Sequence, residues 1–112
     1  GIGTNGHLAF NEPGSERDSH ARKVELNSET RARMPEGVDY QQALTLGIAD
    51  ILDSKAILFV ATGAEKAEAV RRALEESPSP DCPASFLQDH PATIWLLDAE
   101  AASLLHSGVG QD

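Results

Sequence analysis

The stretch KAILFVATGAEKAEAVRRALEE, Lys55–Glu76, decides the fold of this chain. Its first part, Lys55–Ala61, is an almost unbroken apolar run rich in branched and aromatic side chains, the pattern of a strand buried on both faces of a parallel sheet. Thr62 and Gly63 then turn the chain, and the apolar spacing lengthens, so that Ala67, Val70, Ala73 and Leu74 share one face of a helix over 64–76. On the opposite face Glu68 precedes Arg71 and Arg72 at the spacings where unlike charges support a helix. The proline-rich Ser77–Pro83 stops it, Ala84–Leu87 suits a helical turn, and Thr93–Leu97 reads as a second buried strand containing Trp95. Strand, helix and strand in that order predict a right-handed parallel crossover and an α/β fold with a layered, Rossmann-like parallel sheet. Ala99–Leu105 is expected to form a terminal helix and 107–112 a frayed tail, which leaves residues 1–106 as one α/β domain or part of one.

Working back toward the N-terminus, the signals become shorter. Val24 and Leu26 alternate with charged residues in Ala21–Leu26, as in a half-exposed strand. Asn27 or Ser28 can cap a brief helix through Arg33, with Glu29 near its positive end and Pro35 and Gly37 as stops. Within Tyr40–Leu52 a strand over Ala43–Leu46 is expected to break at Gly47, followed by a helical turn carrying Ile48, Ile51 and Leu52. There is no internal repeat, low-complexity tract or linker.

Charge and composition narrow the partners. With 18 acidic against 9 basic side chains the formal charge is −9, which disfavours nucleic acid. Only 4% of the residues are aromatic, so the core must rest on Leu, Ile, Val and Ala. Cys82 is the one cysteine, which excludes an internal disulfide and a cysteine-based zinc site and fits a reducing compartment. His20, His90 and His106 have no second ligand at metal spacing, so no metal is expected. No apolar run approaches the roughly 20 residues that span a bilayer, and the first residues lack a secretory pattern; a cytoplasmic protein without a membrane partner is the expectation.

Chemistry concentrates in Gly1–Pro13, GIGTNGHLAFNEP. Gly1, Gly3 and Gly6 surround Asn5 and His7, and Glu12 follows. A histidine titrating near neutrality with a carboxylate in reach is the usual equipment of proton transfer, and a neighbouring glutamate would favour imidazolium and fix the ring tautomer. Such a turn normally leaves the carboxyl end of a strand, where α/β sheets bind ligands, yet no strand precedes Gly1. The expectation is a C-terminal half whose leading part lies outside this sequence. An α/β sheet without its leading strands exposes apolar edges, so a homo-oligomer is possible.

The run GIGTNGHLAFNEPGS resembles the signature of the glucosamine-6-phosphate deaminases and the related galactosamine-6-phosphate isomerases. The resemblance continues through ALTLGIADILDS, ATGAEKAEAV and PASFLQDHP, up to Leu97, and two stretches, MPEGVDYQQALTLGIADIL and PASFLQDHP, lean toward the galactosamine branch. It implies isomerisation of a 2-amino-2-deoxyhexose 6-phosphate to a ketose phosphate with loss of ammonia, a sugar phosphate as partner, and no cofactor. By the same resemblance His7 opens the sugar ring by moving a proton at the ring oxygen, Glu12 pairs with it, and Gly1 and Gly3 contact sugar hydroxyls. Asn5 stands where Asp is commoner; its amide keeps an accepting oxygen to orient His7 but loses the charge. Lys66 matches the lysine that binds the substrate phosphate, and its place in the first turn of the helix opening at Gly63 suits that task, because free N–H groups and the dipole attract anions there. Arg31 and Arg33 lie near a further phosphate-binding arginine of the family but read better as exposed helix arginines.

Two other readings compete. The related 6-phosphogluconolactonases share a Gly-His turn on a similar fold and hydrolyse a lactone, but AFNEP continues on the deaminase side. A catalytically incomplete sugar-phosphate binder is the other, because the resemblance places the base that moves a proton between sugar carbons, and a Ser/Thr-Gly phosphate loop, before Gly1. The 112-residue chain alone is therefore expected to turn over little or not at all.

Overall fold

The computed structural model describes residues 1–106, and the expected frayed tail at 107–112 lies outside the described residues. The elements run β1 (Arg22–Glu25), α1 (Ser28–Ala32), β2 (Gln42–Thr45), α2 (Ile48–Leu52), β3 (Ile57–Ala61), α3 (Ala67–Glu75) and β4 (Thr93–Leu97), with 3-10 turns at Ala64–Lys66 and Pro83–Asp89. The expected crossover is present: β3 and β4 pair in parallel, from Ile57 opposite Thr93 to Ala61 opposite Leu97, with α3 between them in sequence. β1 and β2 form a separate antiparallel pair, Arg22 opposite Thr45 and Glu25 opposite Gln42.

The core lies on one side of the parallel pair. Phe59 and Ala61 point into it with Val70 and Ala73 of α3, Phe86 and Leu87 of the second 3-10 segment, and Ile48 of α2; Ile2 and Leu8 of the N-terminal loop join them. Phe59 meets Trp95 across the strand pair with ring centroids 4.5 Å apart. The expectation that β3 is buried on both faces is corrected here: Leu58, Val60, Ile94 and Leu96 are exposed, at 61, 45, 59 and 52%. Their apolar character makes the run continuous in sequence, yet α3 and the 3-10 segment cover one face only, and side chains alternate between the faces of a strand.

Three further expectations shift. The helix over 64–76 begins as a 3-10 turn and becomes α-helical only at Ala67, and of the two arginines only Arg71 pairs with Glu68, while Arg72 reaches forward to Glu76 at 3.1 Å. The short turn at Ala84–Leu87 extends to Pro83–Asp89. Ala99–Leu105 forms no helix but a run of turns, in which bonds from Ala102 to Asp98 and from Ser103 to Glu100 alternate between helical and tighter spacing.

Gly47 marks the junction of β2 and α2 for a reason other than chain flexibility. A Cβ there would fall 2.0 Å from the Ser19 carbonyl oxygen, so only glycine admits the crossing segment. Ser19 then caps α2: its hydroxyl accepts from the Ile48 N–H at 3.0 Å and its carbonyl from Ala49 at 2.9 Å. Asp50 returns a carboxylate to the Gly47 N–H at 2.9 Å, satisfying another of the free donors at the helix start.

Candidate active site

The N-terminal loop folds on itself through bonds from the Gly3 N–H to the His7 carbonyl (3.0 Å) and from Gly6 to Gly3 (2.9 Å). Gly6 has φ of +90°, and an added Cβ would lie 2.6 Å from the Cys82 sulfur, so both backbone angle and space demand glycine. Cys82 is buried there, and burial pushes its thiol above the usual range, the state of an inert packing residue rather than a nucleophile. Asn5 turns its side-chain oxygen to the His7 backbone N–H at 3.2 Å. That contact needs only an acceptor, so an amide serves it as well as a carboxylate.

The His7 ring lies against Gly3, where an ideal Cβ would come within 2.0 Å of Nε2. Gly3 therefore makes room for the imidazole itself. Nδ1 is 2.8 Å from the Ala9 carbonyl oxygen, which can only accept, so a proton on Nδ1 completes this bond, and Nε2 has no hydrogen-bond partner among the described residues. Glu12 stands 3.8 Å from Nδ1, within ion-pair range but beyond a hydrogen bond. Its carboxylate is held elsewhere: both oxygens accept from the Thr30 hydroxyl at 2.9 Å, and Oε2 accepts from the Asn27 N–H at 3.3 Å. Asn27 also caps α1 through the Thr30 N–H at 2.9 Å, so one helix start supplies the frame for the carboxylate.

Lys66 swings back onto the same loop and donates to the Ile2 carbonyl at 2.5 Å. Gly1, Gly3, His7 and Lys66 are thereby brought around one segment, with Glu12 behind the ring. The helix end itself is already occupied: the Gly63 N–H donates to the Asp98 carboxylate (3.1 Å) and Ala64 to Glu100 (3.3 Å). Attraction for an anion at this turn therefore rests on the Lys66 ammonium more than on open N–H groups. Arg31 is engaged by Asp39 at 2.8 Å, and Arg33 is exposed. His90, whose Nε2 donates to the Ser54 carbonyl while Nδ1 accepts from Ala92, is a structural histidine.

Reading the sequence overlooked the residue that ties the loop down. Asn11 is fully buried; its amide donates to the carbonyls of Leu8 (3.0 Å) and Leu46 (2.8 Å), and its oxygen accepts from Arg22 at 2.9 Å. Arg22 also reaches the Ser15 hydroxyl at 3.3 Å. Thr30 was overlooked as well. Its position three residues beyond a capping Asn was visible, but the arrival of Glu12 beside it was not. Past Glu12 an open cleft of about 560 Å³ runs between Phe10, Pro13, Arg22 and Val24.

The family of glucosamine-6-phosphate isomerases/6-phosphogluconolactonase matches residues 1–95. A glucosamine-6-phosphate deaminase of Rhodopirellula baltica is 50% identical over 111 residues, covering 94% of this chain and 44% of its own length. A solved monomeric glucosamine-6-phosphate deaminase superposes with a TM-score of 0.85 at 49% identity, over 92% of this chain and 45% of that one. A 6-phosphogluconolactonase from Leishmania guyanensis superposes with a TM-score of 0.70 at 26% identity, over 95% and 40%. The chain thus spans less than half the length of these relatives. With a family match over most of its length and an α/β architecture in common, the chain belongs to the glucosamine-6-phosphate isomerase/6-phosphogluconolactonase family.

Proposed function

We propose that this chain supplies the ring-opening part of an amino-sugar-phosphate deaminase site, which converts a 2-amino-2-deoxyhexose 6-phosphate to a ketose 6-phosphate and ammonia. The observation that carries the reading is His7 held by Nδ1 with Nε2 open, beside Gly1–Gly3 and Lys66 and backed by Glu12. In this reading Nε2 moves the proton at the sugar ring oxygen, and the Glu12 charge stabilises the imidazolium formed in passing. Lys66 takes the substrate phosphate, exchanging the Ile2 carbonyl for it, and the Gly1–Gly3 backbone faces the sugar hydroxyls. Asn5 keeps the His7 backbone in place. The base that moves a proton between sugar carbons is supplied from outside these residues, so the chain alone turns over little. Lactone hydrolysis is the second reading; it draws support from the 26% identical lactonase, against 49 and 50% for the two deaminases.

The test is a graft in which this chain replaces the matched part of the Rhodopirellula baltica deaminase. Ammonia release from glucosamine 6-phosphate is expected, falling by about 10²-fold or more with His7→Asn, the size of a lost proton transfer. Lys66→Ala is expected to raise KM more than it lowers kcat. Acid release from 6-phosphogluconolactone without ammonia would favour the hydrolase, and full turnover by the His7 variant would reject the shuttle.

A further inference from the structure

The one non-glycine residue with a positive φ among the described residues sits beside the catalytic candidate: Ala9, at φ +51°. It is the first central residue of a tight turn closed by Leu8 and Asn11, whose N–H and carbonyl groups bond each other at 3.3 and 2.8 Å. A positive φ at that position alone is the pattern of a type II′ turn, where glycine is the usual occupant. An L-residue there is strained, because its Cβ crowds the neighbouring carbonyl oxygen. Ala9 is exposed, so no apolar burial of its side chain offsets that strain. What the conformation does provide is direction: the Ala9 carbonyl faces the His7 ring and takes Nδ1 at 2.8 Å. Asn11 clamps the turn from beneath through the Leu8 and Leu46 carbonyls.

We propose that Ala9 is a positioning residue whose left-handed backbone fixes His7 as the Nδ1–H tautomer and confines its proton chemistry to Nε2. Glu12 does not perform this task, because it is 3.8 Å from Nδ1 and its oxygens are held by Thr30 and Asn27. The consequence for turnover rests on the reading of His7 as the ring-opening shuttle. Nε2 accepts a proton to give the imidazolium and returns it from the same atom, while the Nδ1 proton stays on the Ala9 carbonyl throughout. Gly3 makes room for the ring on its Nε2 edge, since any larger residue would fill the space the ring occupies, and no hydrogen bond to Nε2 is formed among the described residues.

Long-range ¹H–¹⁵N correlation spectra of the 112-residue chain, labelled at histidine and recorded above neutral pH, read the tautomer directly. The His7 signals are assigned by their loss in His7→Asn. Wild type and Ala9→Gly are expected to show His7 predominantly as Nδ1–H, and so is Glu12→Gln. Ala9→Val, whose branched side chain opposes a positive φ, is expected to move His7 to predominantly Nε2–H, the form that free imidazole side chains favour. A wild-type ring in the Nε2–H form would overturn the proposal even if the valine variant fails to fold, and so would loss of the Nδ1–H form in Glu12→Gln. The spectra are independent of turnover: an Nδ1–H ring in a graft indifferent to His7→Asn would reject the shuttle and keep the tautomer assignment.

Discussion

The two sheets of this molecule are alike in size and opposite in construction. Each has two strands, but β3–β4 is held by burial, with Phe59, Ala61, Val70 and Ala73 closed off from water, whereas β1–β2 leaves Leu44 80% exposed and leans on polar contacts. Its ties to the rest include Asn11 to the Leu46 carbonyl, Thr45 to the Phe10 N–H, Arg22 to Asn11, and Glu12 to Thr30 on the connecting helix. The candidate site lies on the seam. His7 rests against Gly3 beside the loop that packs on the apolar core, while Glu12 is held on the polar side. An ionisable pair placed this way borrows rigidity from packing for the imidazole and from directed hydrogen bonds for the carboxylate.

The comparison breaks first if burial is not what holds the parallel pair. Phe59→Ala is expected to cost about 3–5 kcal/mol, read from the shift in urea midpoint. Asn11→Ala tests the polar side. It removes the side-chain donor to the carbonyls of Leu8 and Leu46, which keep the residue-11 N–H and the Thr45 hydroxyl, and the acceptor of an Arg22 hydrogen bond, and is expected to cost about 1–3 kcal/mol with broadened amide signals confined to the loop and β2. A loss of all native signals at equal rate would show that the two regions are one cooperative unit. Leu58→Lys, next to Phe59 but on the open face, is expected to change stability of this chain by less than about 0.5 kcal/mol, and a cost near that of Phe59→Ala would mean that the face is covered in solution.

The smallest effect concerns an exposed link on the polar side, His20 to Asp50 at 2.9 Å. The hydrogen bond and charge of Asp50 raise the His20 pKa, and those of His20, with the Gly47 N–H, lower that of Asp50. The His20 contribution is fully present below its unfolded value of about 6.5 and is lost as pH rises through the raised folded value. The Asp50 contribution is present above about pH 3.9 and is lost as pH falls through the lowered folded value. Stability gained from the pair is therefore greatest between about pH 4 and 6.5, and His20→Asn is expected to flatten the difference in urea midpoint between about pH 5.5 and 8.5. An unchanged difference would mean the pair is too solvated to contribute.

How far the sequence was legible follows the same division. β3, α3 and β4 could be read because their signals are local: an apolar run, a change of period, and a proline stop. The opposite fates of neighbours such as Leu58 and Phe59 could not, because an apolar strand looks the same whether one layer or two covers it. The expected terminal helix starts but does not continue. Asp98 accepts from the Ala101 N–H as a helix cap does, and from the Gly63 N–H ahead of the 3-10 turn, yet the bonds that follow alternate between helical and tighter spacing, so no regular helix forms over Ala99–Leu105. The pairing of β1 with β2 was equally hidden, since alternation marks a strand but does not name its partner.

For the site, residue types and spacing by themselves offered a glycine-rich turn, a histidine suited to proton transfer and a carboxylate, and the resemblance to the deaminase family singled out His7, Glu12, Asn5, Gly1, Gly3 and Lys66. Proton capacity is a property of the side chain, and the crowding of glycines is visible without a fold. Only the tertiary structure decided which nitrogen of His7 meets the Ala9 carbonyl and what holds Glu12. Those answers depend on the direction of the Ala9 carbonyl and on the arrival of Thr30 from a distant helix. Hydrogen bonds are directional and short in reach, so a shift of one ångström changes the partner while leaving every residue in the sequence as it was.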